Sequence, residues 1–352
     1  MKKRARVKTN FKNKSTSKII FSIFALFAFF SAANLFAQTV IVNPKIVIAV
    51  PKPPPRIPHK RVRNESEIPS EKSIAADAKV NISLCVAEGN VKINGWQRDE
   101  IRAYASGGNE VGFSVRDKNK ETGKPNLLTV LGYDPQKKTE AGFDECFSGE
   151  RIELDVPRGA SLNITGREGD VSISSVNKAA VKNNEGNVFL NDIAQGVEVR
   201  NYQGDITVEK SRGAMTITNT NGNIVVFDTA GSEVGDALRA KTSSGGIVLQ
   251  NVAQKQIEAN SNTGSIKFDG AFASGGQYSF GTTNGAINLL IPADSSFKIE
   301  AFYGGAFQSE FPLKIFTEDV NPQAKRLIAA YGAGDASLSL RNLGGSIKIR
   351  KK

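Results

Sequence analysis

The sequence predicts an all-β fold: a single-stranded, β-helix-like solenoid of about nine short coils, with a β insertion near the N-terminal end and irregular C-terminal capping. Three observations carry this expectation. A template of apolar-x-apolar, four residues, Gly, one residue, apolar-x-apolar occurs nine times between Ile82 and Ile349. Its internal spacing never varies. The glycines from Gly169 to Gly285 follow one another every 17–23 residues, one turn of a solenoid.

Taken in chain order, the first 37 residues have the three parts of a secretory signal. Lys2 to Lys18 is a positive segment, Ile19 to Phe30 is uncharged and apolar, and small residues follow. Cleavage is expected after Ala37, with Ala33 the other small-residue site and an uncleaved anchor the alternative, since Ile19 to Ala37 approaches the length of a membrane span. No Cys lies near these sites, so an N-terminal lipidated cysteine is not expected.

Residues 38–78 read as a Pro-rich basic linker. Seven of the 13 prolines fall between Gln38 and Lys72, beside a basic cluster from Lys52 to Arg63. Such density gives extended, semi-rigid chain and no packed core. It reads as a spacer; contact of the cluster with anionic lipid or polyanionic polymers is the sharper alternative, and membrane contact is expected only through the leader or this linker.

The formal charge of +11 sits here. Residues 1–63 hold 14 of the 46 Lys and Arg and no Asp or Glu, leaving 32 basic residues against 35 acidic ones in the rest. A nucleic-acid reader carries its basic stripe on the folded domain, so nucleic acid is not an expected partner.

Residues 79–161 hold the first coil, Ile82/Leu84–Gly89–Val91/Ile93, and an insertion from Asn94 to Ala160. Alternating segments at Glu100–Tyr104, Val111–Val115, Leu127–Leu131 and Ile152–Val156 predict antiparallel strands forming a cap. Export makes Cys85 and Cys146 a candidate disulfide, with two buried thiols the alternative.

Residues 162–352 hold the other eight matches, centred on Gly169, Gly186, Gly204, Gly222, Gly245, Gly264, Gly285 and Gly345. Each apolar-x-apolar triplet has period 2 and so is a short strand with one face inward. Each glycine marks a corner where positive φ or close backbone approach excludes a Cβ. No coil buries its apolar pairs alone, but stacked coils do, about 4.8 Å apart. Val171, Val188, Ile206 and Ile224 should therefore form one file along the axis. A second lapse covers Pro292 to Asp335, where Phe297/Ile299 begins a degenerate coil and Asn321 to Ala330 is expected to form a short helix.

Candidate chemistry is sparse. The residue after the corner glycine is Asn90, Asp170, Asn187, Asp205 and Asn223 in the early coils. An Asn amide between two carboxylates would donate to both and relieve their repulsion; turn chemistry with ladder hydrogen bonding is favoured over a metal or sugar ladder. The calcium-roll pattern GGxGxD and the phosphate-cradling GxxxxGK[ST] are absent, and the only histidine is His59, in the linker. No catalytic, cofactor or metal residues are therefore assigned. Asp192, Asp205, Arg200 and Lys241 are of the type a polysaccharide lyase or hydrolase would use, but nothing in the spacing makes them converge. The sole tryptophan, Trp96, reads as core with sugar stacking as the alternative, and Tyr202, Tyr278, Tyr303 and Tyr331 do not follow the coil spacing.

The segments IELDVPRGASLNITGREGDVSI (Ile152 to Ile173) and YGAGDASLSLRNLGGSIKIRK (Tyr331 to Lys351), with coils ending in NGNIVV, SGGIVL and TGSIKF, resemble the bacterial putative-adhesin domain family. The resemblance covers roughly residues 79–352. It implies an exported β-solenoid and supplies no functional residues. The expected function is a non-enzymatic envelope protein, in the periplasm or on the cell surface, whose solenoid faces meet a glycan or a protein. The alternatives are a polysaccharide-active enzyme with a carboxylate groove and a structural element paired end to end.

Overall fold

The computed structural model describes residues 70–133, 146–321 and 324–352; the leader and residues 38–69 lie outside them. Among the described residues all regular secondary structure is β. The chain begins with β1 (Ser70–Ala75) and β2 (Asn81–Trp96), which turns a corner at Gly89. The insertion supplies β3 (Glu100–Ser106), β4 (Glu110–Lys118), β5 (Pro125–Tyr133) and β6 (Phe147–Pro157). Regular coils follow, each a long strand, a glycine and a short strand. They are β7 (Ser161–Glu168) with β8 (Val171–Ser174), β9 (Lys178–Glu185) with β10 (Val188–Asn191), and β11 (Val197–Gln203) with β12 (Ile206–Glu209). Next come β13 (Met215–Asn221) with β14 (Ile224–Thr229), β15 (Ala237–Ser244) with β16 (Ile247–Val252), β17 (Gln256–Thr263) with β18 (Ile266–Asp269), and β19 (Gln277–Asn284) with β20 (Ile287–Ile291). The C-terminal part holds β21 (Phe297–Tyr303), β22 (Phe307–Ser309), β23 (Lys314–Asn321), β24 (Ala324–Tyr331), β25 (Ala336–Asn342) and β26 (Ile347–Lys351).

Two parallel stacks result. Long strands pair in the order β5, β2, β7, β9, β11, β13, β15, β17, β19, β25, β21. Short strands pair in the order β6, β2, β8, β10, β12, β14, β16, β18, β20, β26, β22. Val171, Val188, Ile206 and Ile224 occupy one register file and are buried, as the period-2 reading requires. Fully burying each such side chain contributes roughly 1.5–3 kcal/mol. Toward the C-terminal end the core turns aromatic: Phe268, Phe272, Tyr278, Phe280, Phe297, Phe311 and Tyr331 pack ring against ring, mostly tilted or edge-on.

Four particulars depart from the sequence reading. Ser70–Ala75, placed in the linker, is a strand paired antiparallel with β3. The insertion is antiparallel only in part, because β5 and β6 run parallel to β2 and form a further rung outside it. The helix expected at Asn321 to Ala330 is instead strand β24, which pairs antiparallel with β21 on one side and β23 on the other. The last coil, β25 with β26, is not outermost: it lies between the β19–β20 coil and the β21–β22 coil. Both the first and the last template coils are thus covered by an outer rung drawn from the neighbouring irregular segment.

Cys85 and Cys146 are bonded, with Cα atoms 4.6 Å apart, tying β2 to the start of β6.

Candidate functional site

The glycine corner sets the closeness of the rungs. At Gly186 φ is +124°, and a Cβ there would run into the carbonyl of Gly169 one coil below. Position and conformation both demand glycine.

Three residues before seven of the nine corner glycines, from Gly186 on, an inward polar side chain donates to the corner carbonyl one coil earlier. Asn183 donates to Gly169 at 3.2 Å, Asn201 to Gly186 at 3.1 Å and Asn219 to Gly204 at 2.7 Å. Thr242, Ser261, Thr282 and Asn342 repeat the bond to Gly222, Gly245, Gly264 and Gly285. All seven are buried, and the bond satisfies a backbone acceptor that the corner leaves without a ladder partner.

One residue past the glycine the exposed Asp and Asn form a second ladder. The Asn187 amide donates to Asp170 Oδ1 at 3.2 Å, and its Oδ1 accepts the Asp205 backbone N–H at 2.9 Å. Asn223 repeats both roles on Asp205 and Gly246. The interposed amide therefore bridges to one carboxylate, below it, and not to both. Turn chemistry with hydrogen bonding accounts for this ladder. Among the described residues no three His, Cys, Asp or Glu side chains cluster as a cation site.

The four candidate catalytic residues are not brought together. Asp205 stands at the start of β12 in the corner ladder, while Asp192 follows the end of β10, with φ +56° and a 2.8 Å bond from Ser175. Arg200 and Lys241 point outward from β11 and β15, two rungs apart, and pair with Glu198 at 2.9 Å and Glu258 at 3.2 Å. Trp96 is half-buried and not core. Its Nε1 donates to the Glu100 carbonyl at 2.7 Å, and the guanidiniums of Arg98 and Arg102 lie 4.9 and 5.6 Å from its ring centre. Tyr278 is buried in the aromatic end, where loss of solvent raises its phenol pKa.

Open depressions concentrate on the outward face of the long strands. One is lined by Arg239, Glu258 and Ser279 on β15, β17 and β19, another by Asn163, Ala180, Glu198 and Thr216 on β7, β9, β11 and β13. A third, of about 700 Å³, runs from the Cys85–Cys146 bond across β7, β9, β11 and β13. Among the described residues its charged lining is Arg167, Lys182 and Arg200, and Tyr202 stands in it 57% exposed. Thr165, Lys182, Arg200 and Thr218 fall at one register position on successive strands. Aligning the coils on their glycines would have found this file four residues before each corner, as it would the buried ladder.

A stack of glycine-cornered parallel coils, laced by polar ladders, defines a β-solenoid. The chain belongs to the family described as Toastrack DUF4097, whose model matches residues 12–234 and 81–350. No curated protein matches the sequence. Two solved structures are similar. One, described as a putative cell adhesion protein from Clostridium sporogenes, is 12% identical over 81% of this chain and 100% of its own, with a TM-score of 0.24. The other, described as a putative lipid binding protein from Parabacteroides distasonis, is 13% identical over 80% of this chain and 97% of its own, with a TM-score of 0.32.

Proposed function

We propose that this chain is a non-enzymatic, exported cell-envelope module that uses the outward face of its long strands to bind an envelope or extracellular partner. The concentration of open depressions on that one face carries the reading. Its side chains are short hydroxyls and amides mixed with Lys, Arg and Glu, which suits a broad, wet contact more than an enclosed reaction site. The separation of Asp192, Asp205, Arg200 and Lys241 supports binding over hydrolysis, because general acid–base cleavage needs two carboxylates flanking one bond. The leader-like N-terminus supports export, and the basic linker suits a spacer from a surface.

The test joins three measurements on the full chain: cell fractionation with surface protease accessibility, capture from envelope fractions, and turnover assays on polysaccharides. Recovery in the envelope, saturable capture of an envelope component and no turnover are expected. Robust turnover of any polysaccharide would overturn the reading, as would retention in the cytoplasm.

A further inference from the structure

We propose that the trough beside the Cys85–Cys146 bond is a binding site for an anionic saccharide, held by Lys182 and Arg200 with Tyr202 as its stacking platform. This rests on the reading of the long-strand face as a binding surface and names the ligand class for one part of it.

Four observations converge on the site. First, among the described residues the charged side chains that line it are Arg167, Lys182 and Arg200, all basic, although the chain beyond residue 63 carries slightly more acid than base. Second, Lys182 and Arg200 are direct register partners on adjacent parallel strands. Like charges one strand spacing apart, about 4.8 Å, repel, and an anion laid over the pair relieves that repulsion. Elsewhere on this face cations and carboxylates are neighbours: Arg239 and Lys241 both lie against Glu258, at 3.9 and 3.2 Å. At the rim of the trough Arg200 pairs with Glu198 at 2.9 Å and Arg167 approaches Glu168 at 3.6 Å, while Lys182 has no acidic partner among the described residues.

Third, Tyr202 is 57% exposed, on the same strand as Arg200 and two residues beyond it. A tyrosine with its ring in water offers an apolar face and a polar tip together, the combination that a sugar, with C–H faces and hydroxyl edges, matches. Fourth, Thr165, Asn184, Thr218 and Thr220 surround these groups with short donors and acceptors for hydroxyls. A simple inorganic anion would satisfy the cations but leave Tyr202 and the threonines without a role. A neutral glycan would use the tyrosine but draw nothing from Lys182.

The site is tested by calorimetry on the full chain with three probes of matched length or charge: oligogalacturonate, a neutral malto-oligosaccharide and inorganic polyphosphate. Oligogalacturonate is expected to bind at least about tenfold tighter than the other two, with affinity falling as salt rises. Lys182→Gln with Arg200→Gln should weaken it about tenfold or more and flatten the salt dependence, whereas Tyr202→Ala should weaken it and keep the salt slope. Lys241→Gln with Arg341→Gln, in the same file but outside the trough, should leave affinity unchanged. Far-ultraviolet dichroism verifies that each variant is folded. Equal binding of polyphosphate and oligogalacturonate, or affinity unmoved by the Lys182 and Arg200 changes, would overturn the saccharide site. If envelope capture persists in the Lys182/Arg200/Tyr202 variant, the trough falls while the broader reading of the face stands; if capture fails even for the unaltered chain, it is the broader reading that falls.

Discussion

Asn219 shows at one position what joins a rung to the next. Its amide reaches the Gly204 carbonyl at 2.7 Å inside the core, but its own Oδ1 is buried with no partner. Thr242 makes the equivalent bond one coil later with a hydroxyl. Asn219→Ala should therefore cost about 0.5–1.5 kcal/mol by leaving that carbonyl only the longer bond from Asn201, at 3.3 Å, while Asn219→Thr keeps the donor and removes the unpaired oxygen. Denaturant midpoints check this: the Thr variant should equal or exceed the parent, and equal losses for both would refute the ladder's role. This file was legible in the sequence as an Asn, Ser or Thr three residues before each of the seven glycines from Gly186 on, hidden because polar residues near a glycine read as turn formers.

A second residue-scale case is Asp77. It accepts the Lys79 backbone N–H at 3.0 Å and bonds from Asn119 and Thr122, which hold its carboxyl below its usual 3.8. A depressed folded-state pKa means that the stabilisation is complete above that usual value and is lost as pH falls through the folded one. Unfolding scans below pH 4 should show a smaller acid sensitivity in Asp77→Asn than in the parent.

At the scale of elements, β24 explains why a helical reading failed. Ala, Lys, Arg and Leu favour a helix locally, but Leu327 and Ala329 face the core in alternation while Arg326 turns outward to Glu300 at 2.7 Å. Pairing on both edges, with β21 and β23, overrides propensity. The pairing with β23 joins chain neighbours, but the pairing with β21 is non-local, so no short window of the sequence contains it, and the same is true of the parallel course of β5 and β6. The nine regular coils, by contrast, were fully legible because each carries its own pattern. The disulfide belongs to this scale as well. It links residues 61 apart, and in the chain-entropy model it stabilises by about 4 kcal/mol. Reduction should lower the unfolding midpoint, and hydrogen exchange should rise in β5 and β6 before it rises in β11 to β18. Uniform acceleration throughout would show that the bond does not act locally.

At the scale of the whole described unit, the placement of β25 and β26 matters most. In a plain repeat stack an end coil contacts one neighbour, and its loss shortens the array without breaking it. Here the final coil contacts two, so ending the chain at Gly334 would strip a rung from the interior and strand β21 to β24. Such a truncation should abolish a single cooperative thermal transition, and retention of the parent transition would refute the interior placement. The glycine template revealed that this coil exists but not where it stacks, since nothing local distinguishes a coil added last from one slid between two already laid. The arrangement also decides how the molecule answers a pull. Load applied to the C-terminus enters β26 between β20 and β22, and the ladders on both flanks must slide together before that strand can leave. Unzipping, in which bonds fail one at a time from a free edge, has no place to start there. Under such a load the described unit would yield abruptly and at high force instead of fraying.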